Sequence, residues 1–187
     1  PAGQNTPLHL IGNCKRLTEP TFGTSLSTIS TSAVIVNGGS GAVITYGSGV
    51  IAADVLCEGI EFKSSSTTYA FKLGRGAIRF LDCALLQNGT GDCVLGNGIV
   101  AGSGPDALGF VNCIIKSGLT KYALALLGTR LVVMHTTVLG EFWWLGSGGA
   151  TLQANSFTAT VGAGAATVRL DGFLSAVKTY RFIGNYV

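Results

Sequence analysis

Three carboxylates fall close together in this chain, Asp54, Glu58 and Glu61, and they form the densest group among its nine acidic residues. Glycoside hydrolysis needs two carboxyl groups flanking the bond, roughly 5 to 10 Å apart. These three are therefore the acidic candidates if the chain is an enzyme. Glu58 is expected at a sharp corner and Glu61 on the strand that follows, and a solvated edge is the plainer reading of both. The other acids look like turn chemistry. Asp106 follows Pro105 in a Gly-rich loop, Asp92 and Asp171 adjoin Gly91 and Gly172, and Asp82 stands at a repeated corner. No pair stands out as a catalytic constellation.

The remaining reactive side chains point the same way. His9 and His135 are the only histidines. His135 occupies the same repeat position as Asp82 and Asn112, which favours a hydrogen-bonded corner residue over a base. The five cysteines include no CxxC and no Cys/His grouping with zinc spacing. Cys83 and Cys113 share one repeat position in neighbouring coils, near enough for a disulfide, with stacked free thiols the favoured reading. Neither Gly-rich stretch, Gly38–Gly41 or Gly146–Gly149, ends in the GK[ST] of a phosphate loop. No catalytic set, metal or cofactor is expected. One aromatic cluster remains, Phe142-Trp143-Trp144. Neighbouring residues on a strand face opposite ways, so one tryptophan should fill the core. The other should face outward, as an interface or glycan contact, with the interface favoured because tryptophan is enriched there.

What must position these residues is a repeat. Its clearest copies are Phe80-Leu81-Asp82-Cys83-Ala84-Leu85 and Phe110-Val111-Asn112-Cys113-Ile114-Ile115. Further copies begin at Leu10, Ile35, Val55, Val133, Leu152 and Phe182, at intervals of 19 to 30 residues. The first position is apolar throughout. The third reads Gly12, Asn37, Cys57, Asp82, Asn112, His135, Ala154 and Gly184. Most of these tolerate a left-handed backbone, so the position predicts a corner between two strands. Another strand precedes several copies, with Phe71 to Phe80, Leu124 to Val133 and Trp143 to Leu152 each nine residues apart. A period of this size predicts a stack of similar units, and the constant offset argues against a β-sandwich.

On these residues the chain resembles right-handed parallel β-helices of the pectate-lyase-like type, in which an apolar-x-Asn-Cys-x-apolar step recurs once per coil. The resemblance implies an all-β, right-handed, single-stranded parallel β-helix of about seven to eight coils, occupying residues 33–187. Residues 1–32 are expected to form an irregular N-terminal arm with a possible first coil. Relatives of that type include polysaccharide lyases, glycoside hydrolases, phage tail spikes and other virion proteins. The resemblance specifies fold far better than function.

Composition narrows the partners. Only 11% of residues are charged, against about 25% in an ordinary soluble domain. No apolar run reaches the roughly 18 residues of a membrane helix, since Arg130 interrupts the longest. Burial in an oligomer explains the shortage of charge better than a membrane does. The net charge of +3 is scattered, with no basic block, so nucleic-acid binding has no support. No secretory signal is expected from Pro1-Ala2-Gly3-Gln4. Together with the resemblance, which is what implies a viral setting, the expectation is a homotrimeric structural protein of a tailed-bacteriophage virion, assembled in the host cytoplasm. Within that class it is a capsid decoration (cement) protein contacting the major capsid or another virion protein. The alternative is a tail spike or fibre segment that binds or degrades cell-surface polysaccharide. One of Trp143 or Trp144 is expected at or near the subunit contact.

Overall fold

The computed structural model describes residues 8–12, 34–37, 44–46, 54–65, 67–96, 104–118, 120–160, 166–172 and 179–187. They contain nineteen strands and no helix. The strands follow one another in threes. The first of each triplet joins sheet A: β1 (Leu8–Ile11), β4 (Val55–Glu58), β7 (Ala77–Leu81), β10 (Ala107–Val111), β13 (Arg130–Met134), β16 (Ala150–Gln153) and β19 (Tyr180–Ile183). The second joins sheet B: β2 (Val34–Asn37), β5 (Glu61–Ser64), β8 (Ala84–Gln87), β11 (Ile114–Lys116), β14 (Thr137–Leu139) and β17 (Ser156–Thr158). The third joins sheet C: β3 (Ile44–Tyr46), β6 (Tyr69–Leu73), β9 (Asp92–Gly96), β12 (Tyr122–Gly128), β15 (Glu141–Gly146) and β18 (Val168–Gly172). All pairing within the sheets is parallel. Three parallel sheets visited in rotation are consistent with a parallel β-helix.

Alternation within each strand decides what fills the interior. In β10, Leu108 and Phe110 are buried while Ala107, Gly109 and Val111 are partly exposed. Parallel, in-register pairing then stacks like on like. Leu10, Cys57, Phe80, Phe110, Val133, Leu152 and Phe182 form one row. Phe80 and Phe110 stack with ring centres 5.2 Å apart and planes 5° from parallel. Phe62 and Phe71 meet Phe80 edge-on from the other two sheets, as aromatic quadrupoles prefer.

The corner between sheets A and B is left-handed in every coil from the second on. Gly59, Asp82, Asn112, His135, Ala154 and Gly184 have φ between 50° and 62°. The predicted column is therefore present, with one correction. Cys57 lies inside β4 and pairs with Phe80, Val55 pairs with Ile78, and the corner is Gly59. A two-residue slip keeps the same side chains inward, so hydrophobic pattern alone could not separate the two registers.

The segment at Ile35 is a second correction. It lies in β2 of sheet B, with Ile35 paired to Phe62, so it is not a first-strand copy. The eight expected starts become seven. The step from Leu10 to Cys57 is one long coil of 47 residues. The nine-residue offset also fails at Trp143. The residue in the row of Phe71 and Leu124 is Phe142, because the turn after Gly146 is one residue longer than the turn after Gly128. Of the expected arm, 1–32, only 8–12 are described. They hold β1, while 13–33 lie outside the described residues, as does Cys14.

Candidate functional site

Three surfaces bear on function: the acidic group, the outward tryptophan and the outer side of sheet A. The acidic candidates do not converge. The Asp54 carboxylate accepts a hydrogen bond from the backbone N–H of Ala77 at 3.1 Å, clasping the next coil. Glu58 faces His9 across the β1–β4 pair, with 3.4 Å between Nε2 and Oε2 and both side chains well exposed. Glu61 lies beyond the Gly59 corner, on the outer side of sheet B. It is only 1% exposed and sits against the Lys63 ammonium two residues along the strand. A carboxylate this buried needs such a partner. The three thus lie on two sheets, each engaged by a different group.

Other acids act as clasps between coils. Asp92 accepts from the Tyr122 N–H at 2.9 Å and Asp106 from the Gly76 N–H at 3.1 Å. Asp82 accepts from the side-chain amide of Asn112 in the same corner column. Among the described residues, no group of three His, Cys, Asp or Glu side chains could hold a metal. No described helix is long and apolar enough to cross a membrane.

From the Asp82 corner on, the residue after each corner builds a ladder. It reads Cys83, Cys113, Thr136, Asn155 and Asn185, whereas Ile60 follows the Gly59 corner. The thiols of Cys83 and Cys113 donate to the carbonyls of Cys57 and Phe80 in the preceding coil, at 3.4 and 3.3 Å. The amides of Asn155 and Asn185 donate to Val133 and Leu152 at the same place, at 2.9 and 2.8 Å. Cys57, Cys83, Cys93 and Cys113 are all buried and form no disulfide. Burial, with Cys83 second, pushes the Cys57 thiol up to about 12. Burial also pushes Cys93 and Cys113 upward. These thiols serve packing, not nucleophilic chemistry.

The tryptophans divide as expected. Trp144 is fully buried, and only glycine fits beside it: a Cβ at Gly128 would stand 2.3 Å from its ring. Trp143 faces outward on sheet C. Its indole N–H donates to Asp171 at 2.9 Å, and the Arg169 guanidinium lies 5.1 Å from its ring centre. Arg169 Nε also reaches Asp171, at 2.6 Å. Tyr122 of the preceding coil approaches to 6.1 Å. Trp143 is thus the centre of a surface stack, with Arg169 from one neighbouring coil and Tyr122 from the other. Such an indole offers its edge rather than a bare face to a partner.

The outer side of sheet A was not foreseen. One outward row reads Ile11, Glu58, Leu81, Val111, Met134, Gln153 and Ile183; the row beside it contains Leu56, Arg79, Gly109 and Val132. Leu56, Leu81, Val111, Val132 and Met134 are all partly exposed, and Ile11 and Ile183 are 68% and 51% exposed. The signal was the second position of each repeat copy, where a solvated strand should be polar and this chain places Leu81, Val111 and Met134. Comparison with protein-family models, curated proteins and solved structures gives no match.

Proposed function

We propose that the chain is a non-catalytic structural protein that works as a rigid rod and assembles with itself. The observation that carries this reading is the apolar patch on the outer side of sheet A, where Leu56, Leu81, Val111, Val132 and Met134 lie outward on four adjacent strands. At about 4.8 Å per strand it runs roughly 15 Å. Contiguous apolar residues rimmed by polar groups mark an interaction surface. The low charge of the whole chain supports the same conclusion. In this reading the coils wind right-handed, following the strong preference for right-handed crossovers. Three rods pack as a closed cyclic trimer, because an open head-to-tail contact would build fibres.

The setting is a phage virion, where the trimer decorates the capsid and contacts another virion protein. The sequence resemblance is the support for that setting. The carboxylates described above, each held by a backbone N–H, an amide, an imidazole or a cation, support a mechanical role over a hydrolytic one. Sedimentation velocity of the purified chain at micromolar concentration tests the reading. A species of three chain masses is expected, and a well-folded monomer would overturn it.

A further inference from the structure

We infer that Asn88 is a site of spontaneous covalent modification, deamidation through a cyclic imide, and that the buried Gln87 beside it holds the reaction in check. The chain contains three Asn-Gly steps, at Asn37, Asn88 and Asn97. Asparagine is most vulnerable before glycine, which has no side chain to obstruct its own backbone nitrogen. Of the three, Asn88-Gly89 lies wholly within the described residues, in the turn that links β8 to β9. Asn88 is exposed, so water reaches its side chain.

The step needs no reactant besides water. The Gly89 nitrogen bonds to the side-chain carbonyl carbon of Asn88, and the bond from that carbon to Nδ2 breaks. Ammonia leaves with the proton that Gly89 gives up. Water then opens the ring at one of its two carbonyls. One opening gives aspartate. The other gives isoaspartate, in which the main chain runs through the former side chain. Nothing is oxidised or reduced. Either product adds a negative charge, and isoaspartate also lengthens the turn between two strands whose registers are fixed by the preceding coil.

The structure restrains the attacking nitrogen. The Gly89 N–H donates to Oε1 of Gln87 at 2.9 Å. Gln87 is itself held, because its Nε2 donates to the Asp92 carbonyl at 3.2 Å and it is only 2% exposed. The turn is fastened at both ends to the preceding coil. The Asn88 N–H donates to the Ser64 carbonyl at 2.7 Å, and the Asp92 N–H to the Thr68 carbonyl at 2.9 Å. The two turns also lie close, since a Cβ on Gly91 would stand 2.5 Å from the Thr68 oxygen. To attack, the Gly89 nitrogen must shed its proton and turn toward the Asn88 side chain. Either movement breaks the bond to Gln87 and leaves a buried amide oxygen without its donor, which is costly. Gln87 is a positioning residue that acts through the Gly89 nitrogen.

The test incubates the full chain at neutral pH, natively and in urea. Peptide mass spectrometry and an isoaspartate-specific methyltransferase follow each Asn-Gly step. In urea the three steps should react at similar rates. In the native chain Asn88 should still react, but at least about fivefold more slowly than in urea. Gln87→Met keeps the side-chain length and removes the acceptor. It should speed the native reaction at Asn88 by about fivefold to tenfold, with the rates at Asn37 and Asn97 and the circular dichroism unchanged. No product at Asn88 over a native incubation ten times longer than the denatured chain needs would overturn the modification site. Equal native and denatured rates, or a Gln87→Met chain as slow as the parent, would overturn the restraint. Hydrogen exchange of the parent chain tests the restraint without a variant: the Gly89 amide should be protected, and exchange at the rate of an open turn would overturn it.

Discussion

Asn155 and Asn185 occupy the same place in successive coils, and the Oδ1 of Asn185 accepts from both the backbone N–H and the side-chain amide of Asn155, at 3.0 and 2.9 Å. Asn155 in turn accepts from the Thr136 N–H at 2.9 Å while its amide reaches the Val133 carbonyl. Each rung thus satisfies backbone groups that the corner has removed from the sheet ladders. A corner in every coil leaves such groups behind, and buried ones must find partners.

Asn155→Ala should therefore be strongly destabilising. It leaves the buried Thr136 N–H without its acceptor and removes a donor from the Val133 carbonyl, at about 2 to 4 kcal/mol together. Asn155→Cys should cost less, because a thiol at Cys83 and Cys113 makes the same reach to the preceding coil. Urea unfolding of the two variants checks this. Equal losses would show that the ladder bonds do not matter.

Ala154 offers a cleaner test of the corner. It is exposed and holds φ at 52°, where an L residue pays roughly 1 kcal/mol that glycine does not. Ala154→Gly should stabilise the chain by up to about 1 kcal/mol, and Ala154→Val should destabilise it by more than that. Thermal unfolding of both reads the sign directly.

The buried thiols make stability fall at high pH. Burial raises Cys57, Cys93 and Cys113 above their ordinary value near 9.0, so the folded chain holds protons that the unfolded chain releases. By linkage the contribution is complete below about pH 9 and is lost as pH rises toward 12. Urea midpoints should drop between pH 8 and pH 10.5, and Cys113→Ala should flatten that drop. A native chain at pH 8 should also react with at most one equivalent of a thiol reagent, rising to five in denaturant.

The repeat was legible because its chemistry is local. A left-handed corner admits few residue types, and Asp82, Asn112 and His135 carried it openly. Register was less legible wherever two readings bury the same parity. Val55-Leu56-Cys57-Glu58-Gly59-Ile60 supports either alignment until pairing chooses Gly59. The displaced Ile35 copy arose the same way, since a buried strand of sheet B reads like one of sheet A. At the candidate site, the split of Trp143 from Trp144 followed from strand alternation. The partners of Trp143, Arg169 and Asp171, lie a coil away, and no spacing rule places them. The apolar strip was overlooked because each outward residue is unremarkable alone and becomes a surface only when four strands align.

The two tryptophans should respond to mutation very differently. Trp144→Ala removes a fully buried indole and should cost about 3 to 5 kcal/mol. Gly128→Ala drives a methyl group into that ring and should cost about 1 to 3 kcal/mol. Trp143→Ala loses a surface stack worth about 1 kcal/mol. The emission of Trp143→Ala, which reports Trp144 alone, should be the bluer of the two single-tryptophan spectra.

The last prediction concerns the midline of the strip. Val111 sits in the fourth of seven sheet A strands, outward and partly exposed, between Leu81 and Met134. Val111→Lys puts a charge at the centre of the face without touching the core, where Phe110 and Leu108 point inward. Folding stability should change by less than about 0.5 kcal/mol, as for most surface substitutions. Association should weaken at least tenfold, because a lysine desolvated without a partner opposes burial of the strip. Ala125→Lys is the matched control, since Ala125 is also outward and partly exposed but lies on sheet C beside Trp143. Sedimentation of the two variants at equal concentration separates the faces. Loss of the oligomer in Val111→Lys alone supports sheet A as the contact, and loss in Ala125→Lys alone moves the contact to the tryptophan surface.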